Sequence, residues 1–426
     1  MNKMKKLMVH PNRQYLMQED GEPFFYLADT VWELFHKLSY EESEMYLSTR
    51  ARQGFNVIQA VCLAELDGIG APNYYGEKSL LDYNEERLFP NEKYFAHVDR
   101  VIRLAEEKGI YVALLPTWGD KFNQTFGKGP QLLTPKNAAW YAEWLAHRYK
   151  KFTNIIWVLG GDRPLETDVH RAIIDAMGTT LKKLDPDRLI TFHPPGATSS
   201  CEFVAGKDYI DFHMNQSGHD VDRCYDSADL LRKCFQTDNK PALDGESRYE
   251  DHPACFHADF GYLWNSADIR QNFYANVLCG ACGQTYGNHA VWSCCTNRRD
   301  YFPYRWDEVL EHEGAEQFKY LKQLRLSRPY FELREANELL ADASAAKPAV
   351  CAARGKDYAF VYSPLGKPFC VHLEKMGCPR IKATWFDPKT GETKVEGIFG
   401  TGVYEFVPER CGKGNDIVLI LDNLHC

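Results

Sequence analysis

Asp162 and Glu246 are the two residues whose type and setting could do chemistry together. Asp162 follows five consecutive apolar residues, 155–159 (IIWVL), and a Gly160-Gly161 turn that would let backbone come close to whatever occupies a site. Glu246 ends the run PALDGE at 241–246. As the fourth and seventh strand ends of an eight-stranded parallel barrel, these acids would face each other across the mouth and could flank one scissile bond. One carboxylic acid protonates the leaving oxygen while its ionised partner attacks the anomeric carbon or activates water, which is glycoside hydrolysis. Burial and the negative charge of one acid would raise the pKa of the other enough to keep it protonated. Plainer readings stand beside this one: Asp162 could pair with Arg163 or cap a helix starting near Thr167, and Glu246 could pair with Arg248.

In such a barrel the chemistry sits at the C-terminal ends of the strands, so the polar and aromatic residues that finish apolar runs are the candidates. They are Asp29, Trp32, Gln59, Trp118, Asp120, His193, His213, Gln216, Tyr286, His289 and Trp292. Aromatic faces among hydroxyl-binding side chains match the C–H faces and hydroxyl edges of a sugar. No lysine finishes a strand, which argues against a Schiff-base aldolase. No glycine-rich phosphate loop follows the last two strands, which weakens a sugar-phosphate substrate. His193, His213, His219 and His289 raise a metal alternative, but no H-x-H or H-x-x-x-H pair stands at these positions, so neither metal nor other cofactor is expected.

These residues need a frame to hold them, and the first three quarters of the chain supply one. Short β-rich runs at 24–30, 55–61, 111–118, 155–162, 189–194, 209–215, 241–246 and 284–292 alternate with helical patterns, predicting a (β/α)8 barrel over residues 1–335. Ser39 with Glu42 has capping-box spacing, Thr134-Pro135 opens a helix, and Gly109 closes one. The connection 62–90 has no clear period and reads as a long functional loop. Residues 342–426 alternate apolar runs with turn signals and predict a small antiparallel β-sandwich, packed on the barrel as a support.

With 426 residues, 44% of them hydrophobic, the chain can bury a large core. Its net charge of -9 disfavours nucleic acid and anionic membrane partners. The start lacks a secretory apolar run and nothing later could span a bilayer, so a cytoplasmic protein is expected. The 14 cysteines, scattered through apolar segments, read as free thiols; Cys279 and Cys282 close a predicted helix and fit packing better than zinc or redox roles.

Four separated stretches carry a resemblance: Leu27-Ala-Asp-Thr-Val-Trp-Glu-Leu-Phe-His36, Trp157-Val-Leu-Gly-Gly-Asp-Arg163, Asp244-Gly-Glu246 and Tyr286-Gly-Asn-His-Ala-Val-Trp292. Together they resemble the apiosidase-like glycoside hydrolases, family 140, and Ala383-Thr-Trp-Phe-Asp-Pro-Lys-Thr-Gly391 resembles the collagen-binding-type sandwich that follows that barrel. Ala28 departs from the glycine found in many relatives. The resemblance implies Asp162 as general acid/base and Glu246 as nucleophile. The family's founding activity is release of apiose, and the expectation here is an exo-acting glycosidase that frees apiose, or another pentose or deoxyhexose, from plant-derived oligosaccharides or glycosides. It is retaining if the two carboxyl groups stand about 5 to 5.5 Å apart and inverting at about 6.5 to 9.5 Å. A non-catalytic carbohydrate-binding protein on the same barrel is the rival expectation.

Overall fold

The computed structural model describes residues 4–220, 227–341 and 348–424. Eight parallel strands form its centre: β1 (Tyr26–Thr30), β2 (Val57–Leu63), β3 (Tyr111–Thr117), β4 (Ile155–Gly160), β5 (Ile190–His193), β6 (His213–Gln216), β7 (Ala242–Asp244) and β8 (Gly283–Tyr286). The sheet runs β5-β4-β3-β2-β1-β8-β7-β6, with a ninth, two-residue strand (Thr198–Ser199) antiparallel to β6. Asp211 draws the two ends of this order together: its N–H donates to the Ile190 carbonyl at 2.9 Å, and its carboxylate accepts the Ile190 N–H at 2.8 Å. The sheet is thereby curled into the (β/α)8 barrel that the alternation of runs predicts.

The two faces of each strand explain why continuous apolar runs form it. Along β4, Ile156 and Val158 pack with Val57, Val61, Ala113 and Leu115. Ile155, Trp157 and Leu159 instead pack with Tyr141, Leu145, Ile173 and Leu181 of the surrounding helices. Both faces are buried, so the period-2 polar signal of a half-exposed strand is absent. The helix punctuation works as chemistry predicts. Ser39 and Glu42 close a reciprocal capping box on the helix Tyr40–Arg52, and Thr134 does the same with Asn137 on Pro135–Tyr149. Gly109, at φ 73°, follows the helix Glu92–Glu107.

Two readings of the connections change. The segment after β2 holds an antiparallel hairpin, Leu80–Tyr83 with Leu88–Pro90, whose turn is held by the Asn84 carboxamide accepting from the N–H groups of Glu86 and Arg87. This side-chain turn leaves no hydrophobic period to read. The run 284–292 is also two elements, since β8 stops at Tyr286 and Asn288 caps a short helix, His289–Trp292.

The C-terminal β-rich part has a sheet in the order Arg334–Glu335, Cys351–Arg354, Tyr358–Ser363, Ile417–Asn423, Ile381–Phe386, Thr393–Phe399, with the pair Phe369–His372 and Val403–Phe406 beside it. It packs directly on the barrel. Tyr362 stacks on Tyr274 with ring centroids 4.9 Å apart, and buried Asp416 takes Arg270 Nε at 2.9 Å and Nη2 at 2.7 Å. The Tyr362 hydroxyl donates to the same carboxylate at 3.2 Å. Breaking a buried pair strands the remaining charge, at a cost of about 3 to 5 kcal/mol. Asp416→Ala is therefore expected to lower the thermal midpoint well beyond the effect of an exposed control such as Lys394→Ala. Equal midpoints by calorimetry would show that the junction carries no such load.

Candidate active site

The strand ends open into a cavity of about 370 Å³ lined by Trp32, Trp118, Asp162, Gln216, Glu246, His289 and Trp292 among the residues expected there. Asp162 and Glu246 thus meet in one crater although 84 residues separate them in the chain.

Backbone geometry places Asp162. Gly160 and Gly161 have φ of 87° and 111°, and Asp162 follows at 57°. A Cβ on Gly160 would lie 2.5 Å from the His193 carbonyl oxygen, and one on Gly161 would lie 2.7 Å from the Gly119 nitrogen. The glycines therefore admit neighbouring strand ends, not ligand. The Gly161 N–H donates to His193 O at 3.1 Å and the Gly119 N–H donates to Gly161 O at 3.0 Å. Left-handed backbone at a non-glycine residue costs of order 1–3 kcal/mol and persists where the surroundings dictate it. Asp162 does not cap the following helix, whose cap is Thr167. It does pair with Arg163, whose Nη1 donates to Oδ2 at 2.8 Å.

Glu246 is held as firmly. The Gln59 amide donates to the Gly245 carbonyl at 2.9 Å, and the Gly218 N–H donates to the Glu246 carbonyl at 3.1 Å. A side chain on Gly245 would collide with Met214 at 2.3 Å, so the Asp-Gly-Glu segment needs its glycine for packing. His219 Nε2 lies 3.1 Å from Oε1 of Glu246, and His193 Nε2 lies 3.1 Å from Oε2. Glu246 does not pair with Arg248, whose ion-pair partner is Asp268 at 3.7 Å.

These settings push the two carboxyls in opposite directions. Burial raises Asp162, the charge of Glu246 raises it further, and Arg163, His193 and the Gln216 amide only partly offset this. Burial also works to raise Glu246, but the close polar contacts of His193 and His219, the latter a hydrogen bond, outweigh it and hold the carboxyl below its ordinary range. One acid carries its proton to a higher pH while the other stays ionised, the division of labour that two-carboxylate chemistry needs.

Several expected residues lie behind the crater wall. Asp29 is fully buried, taking the Tyr46 hydroxyl and Arg50 Nε, both at 2.6 Å. His213 is buried between Ser200 Oγ at 2.7 Å and Asp238 at 3.0 Å, and the Tyr286 hydroxyl donates to Glu250 at 2.6 Å. A strand end can satisfy a polar side chain sideways into the helix layer as well as upward, and these three do so. Gln59 and His193 do not line the cavity either; Gln59 donates to the Gly245 carbonyl and His193 lies against the Glu246 carboxylate.

The crater also draws on loops that carry no strand-end signal: Glu65, Phe126, His219, Tyr249, His252 and Tyr301 line it. His219 stacks on His252 at 4.5 Å, and His252 meets His289 edge-on at 4.4 Å. Nδ1 of His252 donates to Pro253 O at 2.8 Å and Nε2 of His289 donates to Tyr301 O at 2.8 Å. Burial lowers the pKa of both rings, so they form a neutral wall rather than a cationic one.

Comparison with known proteins places the chain in a family. Residues 10–332 match the family described as "Apiosidase-like, catalytic domain", and residues 336–422 match "Putative collagen-binding domain of a collagenase". Among solved structures, a "Glycoside hydrolase" is 31% identical with a TM-score of 0.89, covering 98% of this chain and 97% of its own. A glycoside hydrolase family 5 protein from Bacteroides vulgatus is 30% identical with a TM-score of 0.90, covering 98% and 94%. The endo-1,4-beta-mannanase from Rhizomucor miehei shares the fold alone, at 12% identity, a TM-score of 0.51 and coverage of 74% and 99%. No curated protein matches the chain.

Proposed function

The chain belongs to the apiosidase-like family of glycoside hydrolases, and from that premise we propose that it is an exo-acting, retaining glycosidase with Asp162 as acid/base and Glu246 as nucleophile. The observation that supports this reading is the shared crater, lined by both Asp162, whose pKa is raised, and Glu246, whose pKa is lowered. Asp162 protonates the glycosidic oxygen as Glu246 attacks the anomeric carbon; the bond to the leaving group breaks and a glycosyl ester forms. Asp162, now ionised, takes a proton from water, which attacks the ester and frees the sugar and Glu246.

Trp32, Trp118 and Trp292 supply apolar faces for a sugar ring, with Gln216 and His289 offering hydrogen bonds to its hydroxyls. The sugar we propose is apiose or another pentose or deoxyhexose at the end of an oligosaccharide or glycoside. Among the described residues, Cys62, Cys201, Cys234, Cys279, Cys282, Cys294 and Cys378 are buried thiols packed among apolar side chains, which fits a reducing compartment, and we propose that the reaction takes place in the cytoplasm.

A panel of aryl glycosides of apiose, other pentoses and deoxyhexoses tests the reading by the sugar released and its anomeric configuration. The pH dependence follows from the two carboxyls. Asp162 must be protonated, so activity is full below its raised pKa and is lost as pH rises through about 6. Glu246 must be ionised and its pKa is lowered, so the acidic limb falls below the ordinary glutamate range. A kcat/KM profile still rising through pH 7 would assign the acid to another group.

A further inference from the structure

Phe126 stands at the crater rim, 53% exposed. A single exposed aromatic needs no explanation, but this one is built into the catalytic machinery. The Arg163 guanidinium lies 3.3 Å from its ring centroid, and Arg163 Nε and Nη2 donate to the Phe126 carbonyl at 3.3 and 2.9 Å. Nη1 of the same guanidinium donates to the Asp162 carboxylate at 2.8 Å and to its carbonyl at 2.7 Å. One cation therefore fixes both the acid and the ring, covering one face of Phe126 and leaving the rest to the crater.

An acid can protonate only an oxygen within hydrogen-bond reach, so the leaving group emerges on the Asp162 side. The aromatic surface fastened to Asp162 there is Phe126. We propose that Phe126 is the platform for the leaving group, and that the leaving group it selects is a planar aromatic alcohol, a phenol, rather than a second sugar. This rests on the glycosidase reading and adds the class of aglycone. A phenylalanine ring has no group for a hydroxyl to bond, and the donors of the guanidinium behind it are turned to Phe126 O, Asp162 and Glu65, the last at 3.5 Å. A sugar on this ring would gain C–H contacts but no hydrogen bond from the ring itself, and Glu65 beside it is turned to Arg163. A flat ring would gain offset stacking on the open face of a ring whose other face is held by a cation.

The test compares phenyl and methyl glycosides of whichever sugar the panel releases, in the parent and in Phe126→Ala, Phe126→Leu and Phe126→Tyr. Intrinsic leaving-group reactivity cancels in the parent-to-variant double ratio of kcat/KM. Phe126→Ala should lower the phenyl-to-methyl ratio about tenfold, Phe126→Leu should fall between, and Phe126→Tyr should stay within about twofold of the parent. A ratio unchanged in Phe126→Ala overturns the platform. So does a disaccharide with the same terminal sugar losing more than the phenyl glycoside. A parent protein that cleaves no glycoside sinks the hydrolase reading instead; the same double ratio in calorimetric Kd for the two glycosides then still decides the platform.

Discussion

Glu246→Gln is expected to lower kcat by about 10⁴-fold or more, with KM changed far less, because the variant keeps the volume of the side chain and removes the carboxylate proposed as nucleophile. The surroundings leave little room for a substitute. The backbone on both sides of Glu246 is tied by Gln59 and Gly218, and its two oxygens lie 3.1 Å from His219 and His193. A glutamine amide offers those imidazoles a carbonyl on one side only, so some loss of stability accompanies the loss of rate. The chemical signature is more specific than the rate. In Glu246→Ala, added azide can enter the vacated position and attack an activated aryl glycoside. The product should be a glycosyl azide of opposite anomeric configuration to the substrate. Near-parent hydrolysis by either variant would show that Glu246 is not the nucleophile.

The sequence revealed the frame of this site better than its walls, for a physical reason. A barrel strand buried on both faces must be a short apolar run, and an acid just past its end stands out against that run, so 155–162 and 241–246 announce themselves. Helix caps are equally local, as Ser39, Thr134 and Gly109 show. Which way a strand-end side chain turns is decided by partners distant in sequence. Asp29 looks like a crater residue until Arg50 and Tyr46, on the following helix, take its carboxylate. His213 is drawn away by Ser200 and Asp238 in the same manner. The loop residues Glu65, Phe126, His252 and Tyr301 had no pattern to betray them, since their place depends on loop folding alone. His219 carried a faint signal, an imidazole just beyond β6, but nothing in the chain order pointed it at Glu246.

The opposed environments of the two acids make the second substitution behave differently from the first. Asp162→Asn should cost about 10²- to 10⁴-fold on substrates with poor leaving groups, which need a proton before the glycosidic bond breaks. On a dinitrophenyl glycoside, whose leaving group departs as an anion, the loss in the first step should be much smaller. The variant suits this comparison structurally. Asparagine is among the few residues that tolerate the left-handed backbone that Asp162 adopts at φ 57°, and its carboxamide oxygen can still accept from Arg163 Nη1. The basic limb of the pH profile should also vanish, because the group that loses its proton near pH 6 is gone. A merely structural Asp162 would slow every substrate alike and leave that limb in place. Leaving-group dependence and loss of the limb, read in one variant, separate proton donation from scaffold damage.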